Sequence, residues 1–175
     1  MANLNLHSEK AISKLQDNGV DWAFYNNGSR WTYGIYMFKA VRNYNMKMRL
    51  SWHWNLVAGD PYYPLDCRED DYAWCNSSPD KELIPSLYFE REIREGLDDY
   101  RYIYTLWKLA NLNHDLDALE MITEILDSFT LGETDIYKTF RKDYWKEYRS
   151  KMVKEIERLS SKDVARNVST PNPGK

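Results

Sequence analysis

Between residues 84 and 111 apolar side chains recur at Phe89, Ile93, Leu97, Tyr100, Tyr104 and Trp107, three or four apart, which lays them along one stripe of an α-helix. The opposite face is charged. Glu90 with Arg94 and Arg91 with Glu95 stand four apart with opposite sign, and each such pair adds only about 0.2–0.5 kcal/mol. Pro85 falls in the first turn, where a helix tolerates a residue without an N–H, so the helix is expected to begin near Ile84. Gly96 interrupts the pattern. A glycine inside a helix costs about 1 kcal/mol relative to alanine, so its presence predicts a second backbone close enough to leave no room for a Cβ.

Around this segment the pattern predicts further elements. Residues 8–17 read as a short helix with Ala11, Ile12 and Leu15 on one side and Gly19 as its stop. The run 20–25 is β-prone and ends in the turn signal Asn26-Asn27-Gly28. Helical spacing returns over 30–45 through Tyr33, Tyr36, Met37, Ala40, Val41 and Tyr44, and 48–54 reads as the next strand. Strand, helix, strand, helix is the order of βαβ units and a parallel sheet. Residues 58–83 form a connection of more than twenty residues, a length that in ordered domains is usually functional, and its tyrosines and tryptophan argue against disorder. Two helices follow, 116–129, closed by Leu131-Gly132, and a second opening at Thr134 or Asp135 and running to Leu159. The remainder is polar and reads as a frayed tail.

The run Ile84-Pro85-Ser86, Phe89-Glu90, Arg94-Glu95-Gly96-Leu97-Asp98-Asp99-Tyr100 and Arg101-Tyr102-Ile103 resembles the last barrel helix of glycoside hydrolase family 123 and its uncharacterised relatives. The resemblance implies an α/β fold: the last two βα units of a (β/α)8 barrel, with parallel strands over 20–25 and 48–54, followed by a C-terminal helical extension. A complete barrel needs about 250 residues. The chain has 175, so it would be a piece of one. The expected organisation is 1–112 as barrel units, 113–160 as helical extension and 161–175 as disordered tail.

In a barrel, chemistry sits beyond the C-terminal ends of the strands. A sugar site wants aromatic platforms beside amide, carboxylate and guanidinium groups, and Asn26, Trp52, Trp54, Asn55, Asp66 and Arg68 are those types in that region. On the resemblance, Trp52 and Asn55 sit where relatives carry a tryptophan and an asparagine at the end of the eighth strand. Beside this stands a plainer reading in which the strands are buried on both faces and the tryptophans fill core. The family it resembles hydrolyses by substrate assistance: the 2-acetamido group of the sugar attacks, helped by an adjacent Asp-Glu pair. No Asp-Glu dipeptide occurs in this sequence. The acidic neighbours Asp70-Asp71 and Asp98-Asp99 fall where relatives keep no catalytic group, so no catalytic residue is assigned.

Composition narrows the alternatives. A net charge of −3 is too balanced to argue for nucleic acid or an anionic membrane. The excess of basic residues between Lys138 and Arg158, interleaved with Tyr144, Trp145 and Tyr148, is routine for an amphipathic terminal helix. No apolar run is long enough for a membrane span, and the first residues lack the pattern of a signal peptide, which places the chain in the cytoplasm if it is complete. Cys67 and Cys75 match no zinc spacing; they read as a pair if the chain is exported and as free thiols in a reducing compartment. The histidines His7, His53 and His114 are scattered, the acids from Asp60 to Asp71 miss calcium-loop spacing, and no metal or cofactor is assigned.

These observations predict the C-terminal fragment of a glycoside-hydrolase-like protein, carbohydrate-active toward N-acetylhexosaminide-type substrates by resemblance and without turnover of its own. A noncatalytic helical protein-interaction module is the second reading. Strands cut from a barrel leave exposed edges, so the missing barrel portion or a second copy is expected as partner.

Overall fold

A computed structural model describes residues 1–4, 8–25, 29–50, 54–56, 73–77, 82–85, 89–132 and 142–169, and these form two short sheets and a larger helical part. The chain divides into two units, Met1–Tyr100 and Arg101–Lys175, with the boundary inside a helix.

In the first unit, β1 (Ala2–Leu4), β2 (Trp22–Tyr25) and β3 (Met48–Leu50) form a parallel sheet in the order β1-β2-β3. Helix α1 (Glu9–Asp17) starts at Ser8, whose hydroxyl accepts from the Ala11 N–H at 3.2 Å, and ends before Gly19, which takes a φ of +65°. The single helix expected over 30–45 is two helices, α2 (Arg30–Tyr33) and α3 (Ile35–Tyr44), because Gly34 leaves helical geometry at φ −101°, ψ −117°. Ser29 and Thr32 cap α2 reciprocally: each backbone N–H donates to the other's hydroxyl, at 3.0 and 3.3 Å. At its far end α3 turns through left-handed Asn45, and the Met46 N–H returns to the Ala40 carbonyl. That end is tied to the sheet. The Tyr44 carbonyl accepts from Trp22 Nε1 at 2.7 Å and from Gln16 Nε2 at 3.0 Å. Ile12, Trp22, Ala23, Ile35, Phe38 and Ile93 are among the buried apolar side chains of this unit.

The second sheet joins β4 (Trp54–Leu56), β5 (Ala73–Ser77) and β6 (Leu83–Pro85). Its first pair is parallel, with a register shift between Trp54 and Asn55, and its second is antiparallel.

The expected α/β partial barrel is therefore corrected. The described residues are mostly helical, and the strands are pieces of three to five residues split between two sheets. Residues 48–54, expected as one eighth strand, contribute to both: β3 ends at Leu50 and β4 begins at Trp54. A barrel wall needs one continuous parallel ladder with a helix after each strand. Here β5 and β6 pair antiparallel, and only residues 78–82 lie between them.

Pro85 does not open a helix either. It closes β6, an edge strand of the second sheet, where a residue without an N–H is tolerated. The helix begins instead as a π-helical turn, Phe89–Arg94, and continues as α4 (Glu95–Asn113).

In the second unit, α4 is followed by α5 (Leu116–Asp127) and α6 (Lys142–Ser169). The Asp115 carboxylate caps α5 by accepting from the Ala118 N–H at 3.1 Å, and left-handed His114 makes the turn before it. Ile103, Leu106, Ile122, Leu126, Met152 and Leu159 are buried here, drawn from all three helices. Arg158 of α6 reaches Asp115 with two hydrogen bonds of 2.9 Å, and Arg149 lies 5.4 Å from the centre of the Tyr102 ring. Helix α6 runs through Ser169, into the stretch expected as a disordered tail from residue 161.

Candidate functional site

β2 and β3 pair through Ala23 with Met48, Phe24 with Arg49 and Tyr25 with Leu50. Both strands thus end at the same edge of the sheet. Asn26 is the next residue after Tyr25, and Trp52 follows Leu50 by two. Asn26, Trp52, Asp66 and Arg68 themselves lie outside the described residues. Trp54 and Asn55 pair with Ala73 and Cys75 in the other sheet, so they do not extend the strand that ends at Leu50.

The best-defined polar cluster is one the sequence pattern did not assemble. Arg30, the first residue of α2, forks onto Asp99 of α4, with Nε to Oδ2 at 2.6 Å and NH2 to Oδ1 at 3.0 Å. Its backbone N–H donates to Glu92 Oε2 at 2.7 Å, and its NH1 stands 3.8 Å from Glu95 Oε2. Glu92, Glu95 and Asp99 share one face of the helix by their spacing of three and four. The two backbones cross at glycines. A Cβ on Gly96 would come within 2.6 Å of both the Arg30 carbonyl oxygen and the Tyr33 Cβ, as the mid-helix glycine predicted.

The chemistry open to this cluster is structural. Asp99 is fully buried, and both its oxygens accept from one guanidinium, so it is not exposed to a substrate. Among the described residues no group of histidine, cysteine, aspartate and glutamate could hold a metal ion, and no helix is long and apolar enough to cross a membrane.

In the helical unit, hydrogen bonds to Asp115 first and Glu155 second hold the Arg158 guanidinium above the ordinary arginine range. Arg158 Nε donates to Glu155 Oε2 at 2.8 Å. This is again a joint between helices, set at the N-terminus of α5, where the capping carboxylate also accepts from the backbone.

No family model, curated protein or solved structure matches the chain.

Proposed function

We propose that the chain is a noncatalytic carbohydrate-binding section of a glycoside-hydrolase-like protein, recognising N-acetylhexosaminides beside the ends of β2 and β3. The observation that carries this reading is the parallel register of Tyr25 with Leu50, from which an asparagine and a tryptophan follow within two residues of one sheet edge. An indole face and a side-chain amide suit a sugar, which offers an apolar ring face flanked by hydroxyl and acetamido groups. The absence of turnover follows from chemistry: substrate-assisted hydrolysis needs an acid and a group that orients the acetamido nitrogen. The sequence has no Asp-Glu pair, and Asp99 is consumed by Arg30.

The test is a titration with N-acetylgalactosamine and N-acetylglucosamine followed by tryptophan fluorescence. A saturable change in the wild type that disappears in Trp52→Ala supports the reading; a flat signal overturns it. Release of 4-nitrophenol from its N-acetyl-β-galactosaminide by the purified chain would overturn the noncatalytic part alone.

One observation favours the second reading, a helical interaction module. Leu112 and Leu116, either side of the α4–α5 turn, are 61% and 76% exposed. If sugar titration is flat, a change in self-association in Leu112→Glu, read by light scattering, would favour that module.

A further inference from the structure

We infer that the outer faces of α4 and α5 form a self-recognition surface, in which α4 of one copy of the chain seats antiparallel on α5 of a second. The inference supplies an occupant for the helical-module reading and rests on it; the carbohydrate reading is independent of it. Every residue involved belongs to the second unit.

The two faces carry opposite charge. From Arg101 to Asn113, α4 holds Arg101 and Lys108 and no acid. Helix α5 holds four acids, Asp117, Glu120, Glu124 and Asp127, and no base. All six of these charged side chains are exposed. A face of one sign repels its own kind and favours a partner face of the other.

The spacing matches as well. On α4, Arg101, Lys108 and Leu112 are seven and then four residues apart, about two turns and one turn along a single stripe. On α5 the same intervals run backwards, from Asp127 to Glu120 to Leu116. An antiparallel seating therefore sets Arg101 opposite Asp127, Lys108 opposite Glu120 and Leu112 opposite Leu116. Between the two charged pairs, the exposed Thr105 and Thr123 fall at one level. A parallel seating with Arg101 beside Leu116 would put Leu112 against Asp127, so charge and apolar surface together select the antiparallel one. Leu112 and Leu116 are the most exposed large apolar side chains described in this unit, and covering them drives the association. Twofold symmetry repeats the contact, so each copy gives one face of each kind.

The test is sedimentation equilibrium of the full chain and its charge-reversed variants over a concentration series. The wild type should dimerise. Lys108→Glu and Glu120→Lys should each weaken the dimer by about tenfold or more, because each sets like charges together at both contacts. The double variant, Lys108→Glu with Glu120→Lys, should return to near the wild-type Kd, and the two single variants should form a heterodimer when mixed. A monomeric wild type overturns the inference, and so does a double variant as weak as the singles. If both reversals leave the dimer intact while Leu112→Glu abolishes it, the antiparallel seating falls and the helical-module reading stands. If all three leave it intact, both fall.

Discussion

The carbonyl oxygen of Arg30 lies 2.6 Å from the point where a β-carbon on Gly96 would stand, and the Tyr33 Cβ lies at the same distance. Gly96→Ala must therefore part α2 from α4. Alanine is the better helix former by about 1 kcal/mol, but forcing atoms into a filled contact costs about 1–3 kcal/mol. Repulsion should win, with a net loss of about 1 kcal/mol in unfolding free energy and a lower melting temperature. Urea denaturation followed by circular dichroism checks the sign, and a raised midpoint would mean that the two backbones do not meet. Gly34→Ala should be milder, since a Cβ there stands 3.0–3.1 Å from its neighbours.

Removing one partner of the Arg30–Asp99 pair should cost unequally. Asp99 is fully buried, whereas the Arg30 side chain is 27% exposed. Arg30→Ala takes the guanidinium from a buried carboxylate, a loss of about 3–5 kcal/mol. Asp99→Ala leaves a guanidinium that still reaches solvent and the Glu95 carboxylate 3.8 Å away, so the loss should fall below that range. The double variant Arg30→Met with Asp99→Leu should recover much of it, because an apolar pair carries no desolvation penalty. A double-mutant cycle by chemical denaturation measures the coupling, and additive losses would contradict it.

How far the sequence could be read is clearest at these same residues. Gly96 announced a close approach because a mid-helix glycine is costly unless space demands it, and the contact exists. Ser8 and Asp115 sit as N-caps one residue before helices whose starts the periodicity placed within a residue. Arg30 was silent. Nothing local marks a partner 69 residues away, although Glu92, Glu95 and Asp99 on one helix face offered a weak signal of a cation opposite. Residues 48–54 misled because a continuous β-prone run does not show where one sheet ends and the next begins. Pro85 misled because proline suits a sheet edge as well as a helix's first turn. β1 escaped notice because three residues are too few to show alternation.

Trp22 anchors α3 through one polar atom. Its Nε1–H donates to the Tyr44 carbonyl at 2.7 Å, while the ring is 1% exposed. Trp22→Phe keeps much of the apolar contact but removes the donor. The loss should combine about 1 kcal/mol for the hydrogen bond with a cavity term for the smaller ring. Because Gln16 also donates to that carbonyl, Gln16→Ala in the Trp22→Phe background should cost more than Gln16→Ala alone. Thermal denaturation of the four proteins tests this, and equal costs for the two Gln16→Ala steps would refute the shared acceptor.

Arg158 should leave the pH profile of stability unchanged near neutrality. Asp115 and Glu155 raise its folded-state pKa above the ordinary arginine value, so its contribution is fully present below that value and is lost only as pH rises through the higher folded-state value. Between about pH 6 and about pH 9 the guanidinium keeps its proton in both states. Arg158→Lys replaces a two-pronged fork with a point charge, so it should lower stability by a constant amount across that window. With the Arg158 side chain 36% exposed, solvent screens the pair, and the loss should be about 0.5–1 kcal/mol. Salt at about 1 M shortens the screening length to about 3 Å and should shrink the difference. Urea midpoints of wild type and variant at both ends of the window, at low and high salt, measure it; a difference that changes steeply with pH would mean that a group other than this guanidinium is titrating.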